Sequence, residues 1–324
     1  MSAANRTIAA IDVGTNTILM VVGRRHLSSH KAIEILDDTH AIARLGQGVD
    51  SSQRINSDAI ERVCNHLKNC RERAVELGSN VIRAFGTSAL RDATNKQNFI
   101  TAVKRNTGVD LVELSGSEEA QFTFSGAGFG LSTPEEYAVI DIGGGSTELA
   151  FGSILSGSIY QSKSVDVGAV RITERCFSSL PPTLTQINEA NSIIDDVLSG
   201  LFPIPPEIHL IGVAGTVTTL GALDLQVENF RDEKLNGHRI SREKVCVLCN
   251  NLLAKSYDEI KGLPQVSSQR ADIITAGALI LQRFLEKFDI PELSVSTKGI
   301  RYGLLQHMLT ITPNIITGSE PFPT

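Results

Sequence analysis

Residues 138–146 read Ala-Val-Ile-Asp-Ile-Gly-Gly-Gly-Ser, and residues 9–17 read Ala-Ala-Ile-Asp-Val-Gly-Thr-Asn-Thr. In both stretches an apolar run rich in β-branched residues delivers an aspartate into a glycine-containing polar turn, and a second apolar run follows. This pattern predicts a strand, a tight turn and a second strand. Two well-separated copies, each with an aspartate entering the turn, indicate two duplicated domains that face each other.

Other parts of the chain extend this pattern. Residues 210–221 look like a third relative of the strand–turn–strand unit. A helix is predicted to begin after the candidate cap Asn56 and to end at Gly78, because apolar residues recur between them every three or four positions. A further strand is expected over 81–85 and a further helix over 92–103.

The length and composition fit a globular protein with about two domains. The chain has 324 residues, of which 41% are hydrophobic and 20% are charged. The second aspartate turn opens a new domain, so the boundary is expected before Asp141, in the glycine-rich stretch 126–134. We therefore predict one domain over 1–127, a second over 128–311, and a loosely ordered tail over 312–324.

Charge and hydropathy exclude several classes of partner. The net charge of -6 gives no general attraction to nucleic acid or to an anionic membrane, so an anionic ligand needs a local cluster of donors. Asp12 interrupts the first apolar run, which leaves no signal-peptide core, and no stretch reaches the roughly 20 apolar residues that span a bilayer. We expect a cytoplasmic protein.

Five scattered cysteines include one pair with close spacing, Cys246 and Cys249. This spacing occurs at metal and redox sites, but no second pair of cysteines or histidines follows at zinc-ligand spacing. The pair lies in an apolar stretch with helical periodicity, over 245–252. We interpret both cysteines as part of the apolar face of a helix.

The two glycine turns are candidate phosphate-binding loops. A phosphate needs several hydrogen-bond donors close together, and glycine turns let backbone N–H groups converge without obstruction by a Cβ. Each turn alone could be no more than a tight hairpin. The candidate phosphate-binding residues are Gly14, Thr15, Asn16, Thr17, Gly143, Gly144, Gly145 and Ser146.

Acidic residues near the turns are candidate metal ligands. Asp12 and Asp141 end apolar strands, and Glu148 follows the second turn. Mg²⁺ favours sparse carboxylate sites that retain water molecules, so these three could hold Mg²⁺ or another divalent cation beside a bound phosphate. Alternatively, each aspartate could cap its own turn, and Glu148 could be an exposed strand residue.

Hydrolysis also needs a group that orients and deprotonates water. Glu118 and Glu119 lie at the predicted start of a helix, where acids often interact only with the helix dipole, and composition does not distinguish between them. Arg91 lies near another helix start and could bind an anion. A surface salt bridge is the alternative for Arg91.

Together these segments resemble the exopolyphosphatase and guanosine pentaphosphate phosphatase (Ppx/GppA) family, within the actin, sugar-kinase and chaperone-ATPase superfamily. The most specific part is the run 140–149, Ile-Asp-Ile-Gly-Gly-Gly-Ser-Thr-Glu-Leu. The resemblance implies an α/β fold of two ribonuclease-H-like (actin-like ATPase) domains with a cleft between them. The other matching segments are 10–17, 44–46, 86–91, 115–120, 167–171, 212–220, 270–272 and 299–301.

The resemblance also implies roles for individual residues. It makes Glu119 the water-activating glutamate, Asp141 and Glu148 the catalytic acids, and Arg91 a residue that binds the phosphate chain. It further implies that the two domains close over the substrate and that a final helix, about 299–310, packs back toward the first domain. The family's phosphate loops match the two glycine turns.

The resemblance implies an Mg²⁺-dependent exopolyphosphatase that acts on inorganic polyphosphate, with guanosine pentaphosphate or tetraphosphate as the alternative partner. The rivals are a sugar or carboxylate kinase on the same fold, and an alarmone-binding regulator with weak hydrolysis. The chain departs from the family at Tyr302, where a glutamate is common, and at Asn236, where a histidine is frequent. A homodimer is one expected assembly, and high processivity is not expected because the chain lacks the additional helical domains of longer relatives.

Overall fold

A computed structural model describes residues 6–26, 29–153, 158–228 and 234–310, which form two β-sheets with helices around them. The predicted tail over 312–324 lies outside the described residues. For convenience we name residues 6–127 the first half and residues 128–310 the second half. No helix in the described ranges is both long and apolar enough to cross a membrane.

The chain alternates strands and helices along both halves. The strands are β1 (Thr7–Val13), β2 (Thr17–His26), β3 (Ser29–Ile42), β4 (Val81–Gly86), β5 (Asp110–Glu113), β6 (Glu136–Ile142), β7 (Thr147–Ser153), β8 (Ser158–Val165), β9 (Leu210–Val213), β10 (Arg239–Ser241) and β11 (Glu292–Val295). The helices are α1 (Val49–Ser52), α2 (Ser57–Glu76), α3 (Ser88–Asp92), α4 (Lys96–Thr107), α5 (Gly116–Ala127), α6 (Ala169–Cys176), α7 (Leu184–Leu198), α8 (Ala214–Leu225), α9 (Arg242–Leu253), α10 (Tyr257–Lys261), α11 (Ile274–Lys287) and α12 (Ile300–Thr310).

The two sheets repeat one strand order. The first sheet runs β3-β2-β1-β4-β5, and the second runs β8-β7-β6-β9-β11 with β10 added at its edge. In each sheet the first three strands in sequence are antiparallel, and the next two extend the sheet in parallel: β4 and β5 in the first, β9 and β11 in the second. The edge strand β10 is antiparallel to β11. The predicted duplication is therefore confirmed: the hairpin β1–β2 corresponds to β6–β7.

Most predicted elements of the first half are confirmed. The strands of the first hairpin and the strand at 81–85 form as expected. Asn56 caps α2 by accepting a hydrogen bond from the Ala59 N–H, and Gly78 follows the helix with a φ of 76°, in the left-handed region that glycine favours.

One predicted element is wrong, and a second begins later than predicted. Residues 210–221 form a strand followed by a helix rather than two strands. The residues of this helix are mostly small and apolar and show little helical period, which is why the helix was missed. The predicted helix over 92–103 begins only at Lys96. Asp92 ends the short α3, and the side chain of Asn95 holds the intervening loop by bonding the N–H and carbonyl of Ile55.

The cysteine helix is confirmed, but only one of its cysteines is buried. Cys249 is fully buried in α9, between Val245 and Leu252 on the same face. Cys246 is only partly buried, so the prediction that both cysteines lie on the apolar face was half right. Among the described residues all five cysteines are free.

Helices α5 and α12 join the two halves. The apolar side chains of α12 pack on β1 and β2 of the first sheet, whereas α5 contacts β6, β7 and β8 of the second. The two helices cross at glycines: a Cβ on Gly126 would lie 2.0 Å from the carbonyl oxygen of Gly299, and a Cβ on Gly303 would lie 1.9 Å from that of Phe122. Such close backbone contact holds α5 directly against α12. The division into domains at 127/128 stays a prediction.

Candidate active site

The two glycine turns face each other across a cavity of about 800 Å³ between the sheets. Each turn follows the central strand of its sheet, β1 or β6, and each central strand delivers its aspartate to the cavity. The two aspartates lie at the carboxyl ends of β1 and β6. The parallel neighbours β4 and β9 end at the same edge of each sheet, so this edge borders the cavity. Duplication thus builds one site from two equivalent turns.

The glycine turns contact each other directly through Thr15. A Cβ on Gly144 would lie 3.0 Å from the Cβ of Thr15, and a Cβ on Gly145 would lie 2.5 Å from the Oγ of Ser88. A Cβ on Gly46 would lie 2.2 Å from a methyl group of Thr15. Glycine is therefore needed at these positions by close approach, and the structure shows the cleft closed at this point.

The second glycine turn presents its N–H groups to the cavity. The carbonyls of residues 143–145 accept hydrogen bonds from the start of α6: from the N–H of Ala169 at 2.9 Å, from the N–H of Val170 at 2.8 Å, and from the Nε of Arg171 at 2.8 Å. In a trans peptide the N–H points away from the carbonyl, so the N–H groups of residues 144–146 are directed away from α6. This arrangement is suited to binding an anion.

The two glutamates at the start of α5, Glu118 and Glu119, make different contacts. Glu118 completes a capping box, in which its carboxylate accepts from the Ser115 N–H at 2.8 Å. Glu119 is 7% exposed and lines the cavity. Arg91 donates to Oε2 of Glu119 at 2.5 Å and to the carbonyl of Leu114 at 3.1 Å. Burial raises the pKa of Glu119, and Arg91 opposes this rise.

Three further carboxylates are buried beside Glu119. Asp141 and Glu148 are direct cross-strand partners in the β6–β7 hairpin, and the corresponding partner of Asp12 in β1–β2 is Leu19. Burial, followed by repulsion from Glu119, raises the pKa of Asp141 to about 7. The pKa values of Asp12 and Glu148 are raised well above the usual range by burial first and then by the neighbouring carboxylates.

These carboxylates fit a divalent cation in a sparse site. The Oδ1 atom of Asp12 is buried and has no hydrogen-bond partner, and the repulsion among the acids would be relieved by positive charge. Within the described ranges no group of three or more His, Cys, Asp or Glu residues is arranged to hold a metal. Mg²⁺ commonly uses one or two carboxylates together with water and phosphate oxygens, which matches Asp12 and Asp141.

The charges that line the cavity also indicate that a cation is needed. Its lining carries more carboxylates than cationic side chains, so an anionic ligand would be repelled unless cations or protons came with it. The lining carboxylates are Asp12, Asp37, Asp38, Glu119, Asp141 and Glu228, and the lining cations are Arg270, Lys298 and Arg301.

Most predicted site residues lie around this one cavity, and two do not. Arg91 lies behind Glu119, and Glu148 lies behind Asp141, where it accepts from the Ser164 hydroxyl at 2.6 Å. Glu148 is 2% exposed, so the alternative of an exposed strand residue was wrong. The lining residues among those predicted are Asp12, Gly14, Thr15, Asn16, Thr17, Glu119, Asp141, Gly143, Gly144, Gly145 and Ser146. The roles of all these residues stay predictions.

Sequence reasoning missed a cationic cluster at the start of α12. Arg301 forms a two-point ion pair with Asp38 at 2.8 and 2.9 Å, and the hydroxyl of Tyr302 donates to the same carboxylate at 2.6 Å. Lys298 donates to the Tyr302 hydroxyl at 2.9 Å. Asp38 lies on β3 of the first half, so only the fold brings these residues together. Tyr302, the residue that departs from the family pattern, thus binds the Asp38 carboxylate through its hydroxyl.

Arg270 is a second residue whose role was not foreseen. It lies over the start of α8, where a Cβ on Gly215 would lie 2.1 Å from its Nη1, and burial lowers its pKa to about 10. Its segment, 270–272, matches the family pattern, which was the available signal. Nearby, Ala214 has a φ of 65°, a strained left-handed conformation at the cavity wall.

Comparisons with known proteins agree with this geometry. The sequence model of the Ppx/GppA phosphatase family matches residues 22–311. Exopolyphosphatase 2 of Mycobacterium tuberculosis is 32% identical over 313 residues, which cover 92% of this chain and 97% of that protein.

Two solved structures are similar over almost the whole chain. An exopolyphosphatase-like protein has a TM-score of 0.87 at 30% identity and covers 94% of this chain and 97% of its own. The Aquifex aeolicus member of the Ppx/GppA family has a TM-score of 0.78 at 27% identity, with coverage of 94% and 97%. Together with the repeated strand order, these similarities confirm the predicted α/β fold of two ribonuclease-H-like (actin-like ATPase) domains.

Proposed function

Because this chain belongs to the Ppx/GppA phosphatase family, we propose that it is an exopolyphosphatase, which hydrolyses the terminal phosphoanhydride bond of inorganic polyphosphate and releases orthophosphate. The observation that carries the proposal is the arrangement around Glu119. This buried carboxylate is held by Arg91 and lies in the same cavity as two facing glycine turns. A phosphate-binding surface and a positioned base are the two components that such a hydrolysis requires.

The glycine turns bind the terminal phosphate. N–H groups of residues 144–146 and side-chain donors of Thr15, Asn16 and Ser146 converge on the cavity from the two halves. The Nδ2 of Asn16 is a buried donor that lacks a hydrogen-bond partner within the protein, which is a favourable state for a ligand-binding group. These donors stabilise the charge that develops on the phosphate oxygens as the bond breaks.

Glu119 orients the attacking water and accepts its proton. The raised pKa of Glu119 lies closer to neutral pH than that of an ordinary glutamate, and this makes the ionised carboxylate a more effective base. Arg91 keeps enough of the carboxylate ionised for this role. The closed cleft limits the access of other water molecules.

Asp12 and Asp141 would hold Mg²⁺ or another divalent cation, with Glu148 behind them. When bound, such a cation supplies positive charge that offsets both the phosphate oxygens and the buried carboxylates. The three acids fit this purpose because burial and then the charge of Glu119 raise all three of their pKa values, and Asp141 further raises those of Asp12 and Glu148.

A guanosine pentaphosphate 5′-phosphohydrolase is the second candidate function. The cavity of about 800 Å³ is larger than one phosphate requires, and it extends past the turns to α8 and Arg270. A nucleoside could occupy this space while its terminal phosphate reaches the same glycine turns. The bond chemistry would be unchanged.

Phosphate release from long-chain polyphosphate and from guanosine pentaphosphate, measured side by side with Mg²⁺, tests the proposal. The Glu119→Gln variant serves as the control. Faster Glu119-dependent release from polyphosphate supports the exopolyphosphatase, and preference for the nucleotide supports the second candidate. Tight binding of guanosine tetraphosphate with no turnover of either substrate would overturn both and leave a binding protein.

A cytoplasmic location and a homodimeric assembly also remain proposals. The family resemblance suggests the homodimer. Light scattering of the purified full chain checks the oligomeric state.

A further inference from the structure

Arg171 connects three parts of the candidate active site. Its Nε donates to the carbonyl of Gly145 at 2.8 Å, its Nη2 donates to Oδ2 of Asp92 at 2.6 Å, and its Nη1 donates to the carboxylate of Asp50. Gly145 belongs to the second glycine turn, whereas Asp50 in α1 and Asp92 at the end of α3 belong to the first half. One side chain therefore joins a phosphate-binding turn to the facing half of the protein.

The helix that carries Arg171 lies directly on the glycine turn. A Cβ on Gly168, the residue before α6, would lie 2.5 Å from the carbonyl oxygen of Gly144. Arg171 fixes the next peptide, between Gly145 and Ser146, by binding its carbonyl. The N–H of Ser146 in that peptide is consequently directed away from α6.

Both contacts of Arg171 with the first half are charged, and the one with Asp50 is buried. The side chains of Arg171 and Asp50 are 10% and 14% exposed, respectively. A buried guanidinium is stable only while its acceptors are in place, and breaking one partner of such a group is costly. Asp92 is also the sequence neighbour of Arg91, which holds Glu119. The position of Arg171 thus depends on the same short helix that holds the base.

We propose that Arg171 is a positioning residue, which aligns the N–H groups of the second glycine turn for the phosphate only when Asp50 and Asp92 of the first half are in place. It thereby couples closure of the cleft to the alignment of the turn. This inference rests on the proposed hydrolysis at the same site. Arginine suits the role because its planar group holds donors on three nitrogens in fixed directions, and here each nitrogen reaches a different acceptor. The donors of a lysine share one nitrogen, so they cannot span the same three acceptors.

Arg175 provides a matched control one helical turn away. It donates two hydrogen bonds to the Asp50 carboxylate, through Nε at 2.6 Å and through Nη2 at 2.8 Å. Its substitution removes charge from the same contact between the halves without touching the glycine turn. A difference between the two variants therefore reports on the turn.

The test compares Arg171→Met, Arg171→Lys and Arg175→Met, with polyphosphate hydrolysis measured for kcat and KM and with binding of inorganic tripolyphosphate measured by calorimetry. We expect Arg171→Met to lower kcat about 100-fold while KM rises less than about tenfold, because the donors act mainly in the transition state. Arg171→Lys should recover little of this loss. Arg175→Met should keep both constants within about threefold of wild type.

The outcomes separate this inference from the proposed function. Wild-type protein that neither binds tripolyphosphate nor hydrolyses polyphosphate overturns both. Active wild type with equal losses in Arg171→Met and Arg175→Met overturns only the positioning role. If Arg171→Met fails to fold, Asp92→Asn removes one contact and leaves Arg171 in place; a fall in kcat of about tenfold is expected, and unchanged kcat overturns the inference.

Discussion

The Nη1 atom of Arg91 lies 2.5 Å from Oε2 of Glu119, and this arginine does not line the cavity in which the glutamate lies. The family resemblance implies that Arg91 binds the phosphate chain. In the structure its nearest acceptors are Glu119 and the carbonyl of Leu114, at the start of α5. The geometry favours an arginine that acts on the base rather than on the substrate.

Replacing Arg91 should therefore change the pH dependence of the reaction. Arg91 lowers the pKa of Glu119 against the effect of burial, so Arg91→Met should raise that pKa. The acidic limb of kcat/KM would move to higher pH, and activity would recover partly toward alkaline pH. The profile of polyphosphate hydrolysis between pH 5 and 9 measures this shift. A loss that is equal at every pH, with raised KM, would instead show direct binding of the phosphate chain.

The two adjacent glutamates of α5 provide an internal comparison. Glu119→Gln should reduce kcat by about 10²–10⁴-fold because the base is lost, while tripolyphosphate still binds. Glu118→Gln alters only the capping box and should keep kcat near the wild-type value. Steady-state hydrolysis of polyphosphate by both variants checks this. Comparable losses in the two variants would contradict the assignment of the base to Glu119.

Features of the site that are encoded within a short stretch of sequence were predicted, and features that join distant parts of the chain were not. The aspartate turns were identified because strand periodicity and glycine turns are encoded within about ten residues. The Asp38–Arg301 pair was missed because it joins residues far apart in sequence. The segment 299–301 matches the family pattern, but nothing local indicates that Asp38 is the partner of Arg301. The helix after β9 was misread because its sequence is mostly small and apolar, with Asp224 as its one charged residue, so it lacks the polar face that marks a helical period.

The crossing of α5 and α12 should be intolerant of a single methyl group. A Cβ on Gly303 would lie 1.9 Å from the carbonyl oxygen of Phe122, so Gly303→Ala must separate the two helices. We expect a loss of at least about 2 kcal/mol in the free energy of unfolding. Gly262→Ala is the matched control, since its Cβ would meet its nearest neighbour at an ordinary 3.4 Å. Thermal melts of both variants measure the difference, and equal melting temperatures would contradict the close crossing.

Neutralising Asp141 should stabilise the cation-free protein. Its folded-state pKa of about 7 lies above the ordinary value of 3.8, so the native state loses stability as pH rises through this interval and the carboxylate ionises. Asp141→Asn removes that cost but also loses contacts of the carboxylate. We therefore expect a net stabilisation of about 1–3 kcal/mol at pH 8. Melts in chelator at pH 5 and pH 8 should show a larger stabilisation at pH 8. A variant less stable than wild type at pH 8 would contradict the raised pKa.

Binding of Mg²⁺ should release protons from the carboxylate cluster. The pKa values of Asp12, Asp141 and Glu148 are all raised, by burial first and then by repulsion from Glu119, and a cation binds the ionised forms. At pH 6.5 we expect about one proton to leave for each Mg²⁺ bound, and the affinity should increase up to about pH 8. Calorimetric titrations in two buffers with different ionisation enthalpies measure the number of protons. Asp141→Asn should release fewer, because one of the titrating acids is gone. Identical heats in the two buffers would mean that no proton leaves on binding. Either the acids would then be ionised already, against their raised pKa values, or the cation would bind away from this cluster.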